Sequence, residues 1–495
     1  MSKSDIALLG LGVMGKSLAL NLLDHGFNVA GFDINSLNRD NAAKKARELS
    51  QQSGKGDFYN ASNLGELLAN LATPRVIALS VPAGSIVDSV IDQLIAAGLE
   101  AQDIVIDTGN SLWTDSERRE RNYQGKLRFF STAVSGGEVG ARFGPSLMAS
   151  GDLSAWQVVK PMWQAIAAKV DQHGQPLGQF ESGEPCAAYL GPAGAGHYVK
   201  MVHNGIEYAD MQLICEAYHV MSQLPLSAQQ IGATFAKWNQ GVLSSYLLEI
   251  SAEILQTSDP VTHQPFVDIV LDKAGQKGTG LWTAVNALQV GVPAPTIAQA
   301  VFARAQSGQK ALRVKAADML SKPSPLAPND FDALLDDLHD ALFSAKVAVY
   351  AQGFDLIKTT AHAEQWPLDF IAIAKIWRAG CIIRAQILQD ISQAYQDDSQ
   401  LENLLLAPSF SAQISGKAPG WRRAVAHAAL SGVPMPAISS ALSYYDGLRS
   451  AVLPANLLQA QRDYFGAHSY ARVDEPEHRR YHLTWSASDK QQIEL

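Results

Sequence analysis

The rhythm of apolar and polar positions changes near residue 185. Before it, short apolar runs alternate with helical patterns. Ile6-Ala7-Leu8-Leu9 leads into a glycine-rich turn and a helical stretch, Ser17 to Asp24, stopped by Gly26. A second run, Val29 to Phe32, ends at Asp33, and Val76 to Val81 and Ile104-Val105-Ile106 are further buried-strand candidates. Strands separated by helices predict βαβ units and a parallel sheet. Asp171 to Pro185 carries several Gly, Pro and Gln residues and reads as a linker. Beyond it, Asn204 to Met221, Phe331 to Tyr350 and Leu368 to Ile391 show apolar residues at three- and four-residue spacing, which predicts helices. From Leu453 onward the chain is rich in aromatics and has no clear period, so this tail is expected to lie against another surface. The expected division is 1–185, 186–452 and 453–495.

Composition narrows the classes. Of 495 residues 47% are apolar and only 18% are charged. The charged share falls below the roughly 25% of ordinary soluble chains, which points to extensive burial and a subunit interface. A net charge of −9 argues against a nucleic acid or an anionic membrane as partner. No apolar run reaches the roughly 18 residues of a membrane span. Cys186, Cys215 and Cys381 are too few for a disulfide framework and lack zinc spacing, so the expected compartment is reducing and cytoplasmic. Met1-Ser2-Lys3 followed by Ile6 to Met14 faintly resembles a secretion signal, but its glycine pattern favours a strand and turn.

Gly10-Leu11-Gly12-Val13-Met14-Gly15 joins the first strand to the first helix. Glycines make such a turn tight and let backbone N–H groups approach a pyrophosphate, while the helix N-terminus adds partial positive charge. The second strand ends in Asp33, at about the spacing of an acid that accepts hydrogen bonds from ribose hydroxyls. The fold class is therefore an α/β Rossmann-like N-terminal domain, a large all-α domain and a C-terminal tail. A 2′-phosphate beside Asp33 would meet like charge, and Ile34 offers no guanidinium, although Arg39, Lys44 and Lys45 are close in sequence. The expectation is NAD as preferred cofactor and NADP as second choice.

The segment from Gly191 to Tyr208, with Gly191, Ala193, Gly194 and Gly196 at its start, carries the most chemistry. Lys200, His203, Asn204, Glu207 and Tyr208 fall at i, i+3, i+4, i+7 and i+8, which lines one helix face. A lysine acts as a base only when neutral, so its pKa must fall from about 10.4 through desolvation or nearby positive charge. Glu207 could donate a proton if raised toward neutrality. His203 and Asn204 could hold hydroxyls and a carboxylate.

These stretches resemble the 6-phosphogluconate dehydrogenases, decarboxylating enzymes of the pentose phosphate route. Further matching motifs are Asp107-Thr108-Gly109-Asn110-Ser111, Val134-Ser135-Gly136-Gly137-Glu138, Gly275-Gln276-Lys277-Gly278-Thr279-Gly280, Val301-Phe302-Ala303-Arg304 and Gln461 to His468. The resemblance implies that Lys200 takes the proton of the 3-hydroxyl and then stabilises the enolate, and that Glu207 protonates carbon 1 of the enediol left after decarboxylation. It implies a cofactor site of Gly10 to Gly15, Asp33, Val81 and Asn110, and no metal. Asn110, Ser135, Gly136, Gly137, His203 and Asn204 would hold the sugar acid. Tyr208, Lys277, Thr279 and Arg304 would bind the phosphate, with Arg462 and His468 supplied by the tail of a partner in a homodimer. Two departures favour NAD further: Asp33-Ile34-Asn35 stands where NADP-using members typically carry Asn-Arg-Thr, and Pro82 replaces a lysine. Leu281 also replaces a lysine often found after Gly-Thr-Gly. Two other readings stay open: a β-hydroxyacid dehydrogenase for a related acid with another terminal anion such as a sulfonate, and a dinucleotide-binding regulator without catalysis.

Overall fold

The computed structural model describes residues 3–50, 54–192, 194–321, 323–324, 326–328 and 330–495; Met1, Ser2 and Ala193 lie outside the described residues. The early alternation closes into one eight-stranded sheet. Its strands are β1 (Ile6–Leu9), β2 (Val29–Phe32), β3 (Phe58–Asn60), β4 (Val76–Leu79), β5 (Ile104–Asp107), β6 (Arg128–Ser135) and β7 (Ser146–Gly151). A two-residue ribbon of β8 (Lys169–Val170) and β9 (Glu184–Pro185) precedes the last sheet strand, β10 (Ala187–Tyr189). The order is β10-β7-β6-β5-β4-β1-β2-β3, antiparallel only between β6 and β7. The continuous apolar runs follow from burial on both faces. Ile6 and Leu8 join Leu18, Leu22, Ile106 and Trp163 on one side. Ala7 and Leu9 join Ile77, Leu79, Ile91 and Phe129 on the other.

The linker is more ordered than its composition suggests. Asp171 accepts from the backbone N–H groups of His173 and Gln175, a side-chain-made turn, before β9 returns to pair with β8. Glu184 then pairs with Lys375 and Arg378, fastening this stretch to the helical region.

Helices dominate thereafter. The helix Ala195–Met221 lies against the sheet, where Gly196 donates its N–H to Ser150 Oγ at 2.9 Å. A Cβ at Gly196 would stand 2.5 Å from the Met148 carbonyl, so only glycine permits this approach. Its other side packs on the helix Phe331–Ala363, with Ile206 pressed against Gly353. A buried ion pair, Lys346 to Asp210 at 3.0 Å, joins the two helices. Removing either partner would leave an uncompensated buried charge. The periodic stretch Leu368 to Ile391 is not one helix. It divides into Phe370–Ile376 and Ile387–Asp397 around a turn containing Gly380 at φ +68°. Periodicity survives the break because residues on both sides, such as Ile373 and Ile383, are buried.

The chain forms two compact units, residues 1–441 and 442–495, with the division inside the helix Pro436–Leu448. The second unit contains the helix Ala455–Gly466 and the ribbon β11 (Tyr481–Leu483) and β12 (Gln492–Glu494). A buried carboxylate organises it. Asp463 accepts from the N–H groups of Ser469 and Leu483 and from Trp485 Nε1, and contacts His482 Nδ1 at 2.9 Å. A polar hub explains why the tail shows no hydrophobic period. Among the described residues, no helix is long and apolar enough to cross a membrane.

Candidate active site

The carboxyl ends of β1, β2, β4 and β5 meet on one edge of the sheet, where open α/β sheets bind ligands. Gly10 has φ +94°, and a Cβ there would sit 2.3 Å from the Ser80 carbonyl oxygen. A Cβ at Gly15 would lie 1.9 Å from the Gly10 carbonyl oxygen, so the helix Val13–Asp24 starts in direct contact with the turn. Gly12 is the opposite case: a Cβ would meet nothing within 4 Å. It caps the helix without a side-chain hydrogen bond. The turn is therefore a cradle floored by backbone at the positive end of a helix dipole, which fits a dinucleotide pyrophosphate. Leu11, Val13 and Met14 complete it; Val81 and Asn110 follow β4 and β5 on the same edge.

Asp33 does not stand free at the end of β2. Its carboxylate accepts from Leu11 N–H at 2.7 Å, Asn35 N–H at 2.8 Å and Asn38 Nδ2 at 3.2 Å. Arg39 donates to the Asp33 carbonyl at 2.7 Å and lies near the Phe32 ring. A guanidinium thus stands where sequence spacing left its reach open.

The polar face of the helix Ala195–Met221 assembles as expected. Lys200 Nζ donates to Ser135 Oγ at 2.8 Å and stands 3.3 Å from His203 Nδ1. His203 Nε2 is 3.4 Å from Ser135 Oγ, and Nδ1 is 3.2 Å from Asn204 Oδ1. Glu207 Oε2 lies 3.8 Å from His203 Nδ1. Burial pushes the Lys200 ammonium below its usual range, opposed by the Glu207 charge. Burial and Lys200 hold His203 well below the ordinary imidazole value, so the ring is neutral. Burial raises Glu207, while Lys200 and Arg304 pull it back. The two ends of an acid–base pair are thereby moved toward each other.

Gly136 and Gly137, at φ +102° and +63°, turn the chain directly after Ser135. Asn110, Ser111, His197, Lys200, Met201, Asn204, Thr279 and Trp282 line one narrow cleft. A second group gathers around Tyr208, one turn beyond Asn204. Arg304 lies 3.5 Å over the Tyr208 ring, a cation–π contact, and donates to the Gly275 carbonyl. Lys277 N–H donates to Tyr208 Oη, and Gly280, in the first turn of the helix Thr279–Val290, packs on the Tyr208 ring. Tyr208, the Lys277 backbone and Arg304 are thus brought together, and Thr279 lines the neighbouring cleft with Asn204. Arg462 and His468 belong to the second unit, where Arg462 bonds Gln459 and His468 stands edge-on to Phe465.

Other buried polar groups had no role assigned from the sequence. Asp107 accepts from Gly109 N–H and Ser111 Oγ on either side of Asn110. The fully buried Arg119 joins Asp107 to Asp88 and the Gly84 carbonyl, tying the ends of β4 and β5. His197 contacts Ser116 Oγ at 2.6 Å one turn before Lys200. Asp107 and His197 signal themselves as polar residues in apolar stretches, whereas Arg119 is hidden among the exposed charges of its own helix.

A Rossmann-like sheet with a backbone phosphate cradle, followed by a helix presenting a desolvated lysine, defines a dinucleotide-dependent hydroxyacid dehydrogenase by class. The family model for the NAD binding domain of 6-phosphogluconate dehydrogenase matches residues 5–174, and the one for its C-terminal domain matches residues 196–485. The chain belongs to the 6-phosphogluconate dehydrogenase family. It is 47% identical to the NADP(+)-dependent, decarboxylating 6-phosphogluconate dehydrogenase of Bacillus subtilis, over 96% of this chain and 98% of that one. It is 46% identical to the decarboxylating enzyme of Dictyostelium discoideum, over 98% of this chain and 97% of that one. A solved 6-phosphogluconate dehydrogenase of Plasmodium falciparum, described in complex with its cofactor NADP+ and with its substrate 6-phosphogluconate, superposes with a TM-score of 0.90 at 40% identity, covering 97% of this chain and all of that one.

The expected preference for NAD is corrected by these relatives, one named NADP(+)-dependent and one bound to NADP+. An open Asp33 carboxylate facing the ribose would repel a 2′-phosphate. In the structure its oxygens are engaged by three local donors, and Arg39 brings positive charge to the same strand end.

Proposed function

We propose that this chain oxidises and decarboxylates 6-phosphogluconate to ribulose 5-phosphate and carbon dioxide, with NADP+ as cofactor. The observation that carries the reading is the buried Lys200, held by Ser135 and His203 with its charged form disfavoured. The cofactor, when bound at the Gly10–Gly15 cradle, supplies the hydride acceptor. Neutral Lys200 accepts the proton of the 3-hydroxyl as carbon 3 is oxidised. The resulting β-keto acid expels carbon dioxide because its ketone takes up the electron pair. Lys200, now an ammonium, stabilises the enolate oxygen. Glu207, raised by burial, gives a proton to the former carbon 2 of the acid, which becomes carbon 1 of ribulose 5-phosphate. Ser135, Gly136, Gly137, Asn110, His203 and Asn204 orient the acid, and Tyr208, Lys277, Thr279 and Arg304 receive its phosphate. Turnover of 6-phosphogluconate and NADP+ to reduced cofactor and carbon dioxide is the direct test. Turnover only of an acid with another terminal anion, or none, would select one of the alternative readings.

We also infer a homodimer in which residues 453–495 complete the partner's site with Arg462 and His468. Exposed Leu457, Leu458 and Phe465 on the tail support this reading, since such apolar surface favours a protein partner. The division 1–185, 186–452 and 453–495 is retained as a division of roles: cofactor, substrate and partner. Truncation at Leu453 should abolish turnover while NADP+ binding persists; full turnover after truncation overturns the shared site. The free thiols Cys186, Cys215 and Cys381 suit a reducing cytoplasm.

A further inference from the structure

The turn at residues 377–386 interrupts a helical pattern, carries no motif assigned above, and packs on both halves of the acid-binding site. Trp377 is fully buried, its ring 5.4 Å from the His203 ring at 79°, edge to face. Phe354 holds it from another side at 5.7 Å and 74°. The indole N–H has no hydrogen-bond partner among the described residues, so the ring is kept for its shape and not for its donor. Three residues on, the Gly380 carbonyl accepts from Ser146 N–H at 2.8 Å, and Ser146 Oγ donates to the Ile376 carbonyl at 2.6 Å. The same Gly380 carbonyl lies 2.6 Å from where a Cβ on Gly136 would be. Gly380 is itself at φ +68°, and a Cβ there would come within 2.6 Å of the Gly144 carbonyl oxygen. The turn is closed internally by Cys381 Sγ donating to the Trp377 carbonyl, and anchored by Tyr350 Oη donating to the Ile383 carbonyl. Burial pushes the Cys381 thiol up to about 12, so it places no charge beside Lys200.

We infer that Trp377 is a positioning residue for proton transfer, acting through the His203 ring, and that its turn clamps the Ser135-Gly136-Gly137 segment against the Lys200 helix. This rests on the reading of Lys200 as base. His203 touches Lys200, Asn204 and Ser135 at once, so a rotated imidazole misplaces three groups together. An edge-to-face contact fixes ring orientation where hydrogen bonds to a neutral imidazole leave two choices of donor.

The test is a mutant cycle on Trp377 and His203, read as kcat, KM for 6-phosphogluconate and NADP+ affinity. Trp377→Leu should lower kcat about 10²-fold, the cost of a small misplacement of reacting groups, with NADP+ affinity within twofold. Trp377→Phe, which restores a ring, should recover at least tenfold of that loss. In a His203→Asn background Trp377→Leu should cost less than twofold more, because the residue it acts through is gone. Additive losses in the cycle, turnover of Trp377→Leu within twofold of the native enzyme, or losses that track melting temperature alone overturn the proposal. Should the Leu variant not fold, Trp377→Phe replaces it in the same cycle, where additivity against non-additivity decides. Native turnover in Lys200→Met would undo the base assignment itself; an inactive Lys200→Met with an additive Trp377 cycle would undo only this inference.

Discussion

The two halves of the site are made of different materials. The cofactor edge is built from backbone: Gly10 and Gly15 let the turn and the helix meet closely, and Gly12 leaves the helix end facing open space. The acid pocket is built from side chains on a buried helix, where Lys200, His203 and Ser135 hold one another within 3.4 Å. Backbone sites depend on the absence of side-chain volume. Side-chain sites depend on desolvation and mutual charge. Damage in the first should therefore be steric and weaken binding; damage in the second should be electrostatic and stop chemistry.

The largest expected effect lies in the second region. Lys200→Met should lower kcat by at least about 10²–10⁴-fold, the range for a lost general base, while NADP+ affinity measured by calorimetry stays near native. A parallel loss of both would show that the two halves are not separable. Next come the glycines. Gly15→Ala places a Cβ 1.9 Å from backbone and should cost both fold stability and NADP+ affinity. Gly12→Ala meets no protein atom within 4 Å, so it should melt close to native yet bind NADP+ more weakly, because the methyl enters the cradle. Equal melting losses in the two variants would contradict a cradle open only at Gly12.

A smaller effect isolates burial from chemistry on the same helix. Glu216, raised to about 7 by burial against the donors of Ala437, Ile438 and Gln212, takes no part in the reaction. Its folded pKa exceeds its unfolded value, so between about pH 4.5 and 7 the folded state holds the extra proton. Stability from this group is full below the unfolded pKa and is lost as pH rises through 7, at a limiting slope of about 1.4 kcal/mol per pH unit. Denaturant unfolding of Glu216→Gln should lack this slope and leave turnover near native. An unchanged slope in the variant would assign it elsewhere.

Legibility in the sequence followed the same divide. Apolar runs placed β1, β2, β4 and β5 because strands buried on both faces must be continuous, and the glycine pattern placed the cradle because its geometry is local. The Lys200 face was legible because helix spacing aligns it without tertiary information. Asp33 was misjudged because what its carboxylate faces depends on Leu11, Asn35 and Asn38, which spacing does not reveal. The turn at 377–386 was hidden because buried residues kept a helical rhythm across the break. Tyr208, Lys277, Thr279 and Arg304 were grouped only by resemblance, since nothing local links residue 208 to 304. The tail escaped because its centre is the polar Asp463.

The chemistry depends on a lysine that gives up its proton in the folded protein. Carbon-13 NMR of the lysine Cε signals across pH, with Lys200→Met identifying the resonance, measures this directly. The Lys200 signal should titrate well below the usual value of about 10.4. Titration at or above that value would leave the pocket without its base and contradict the mechanism.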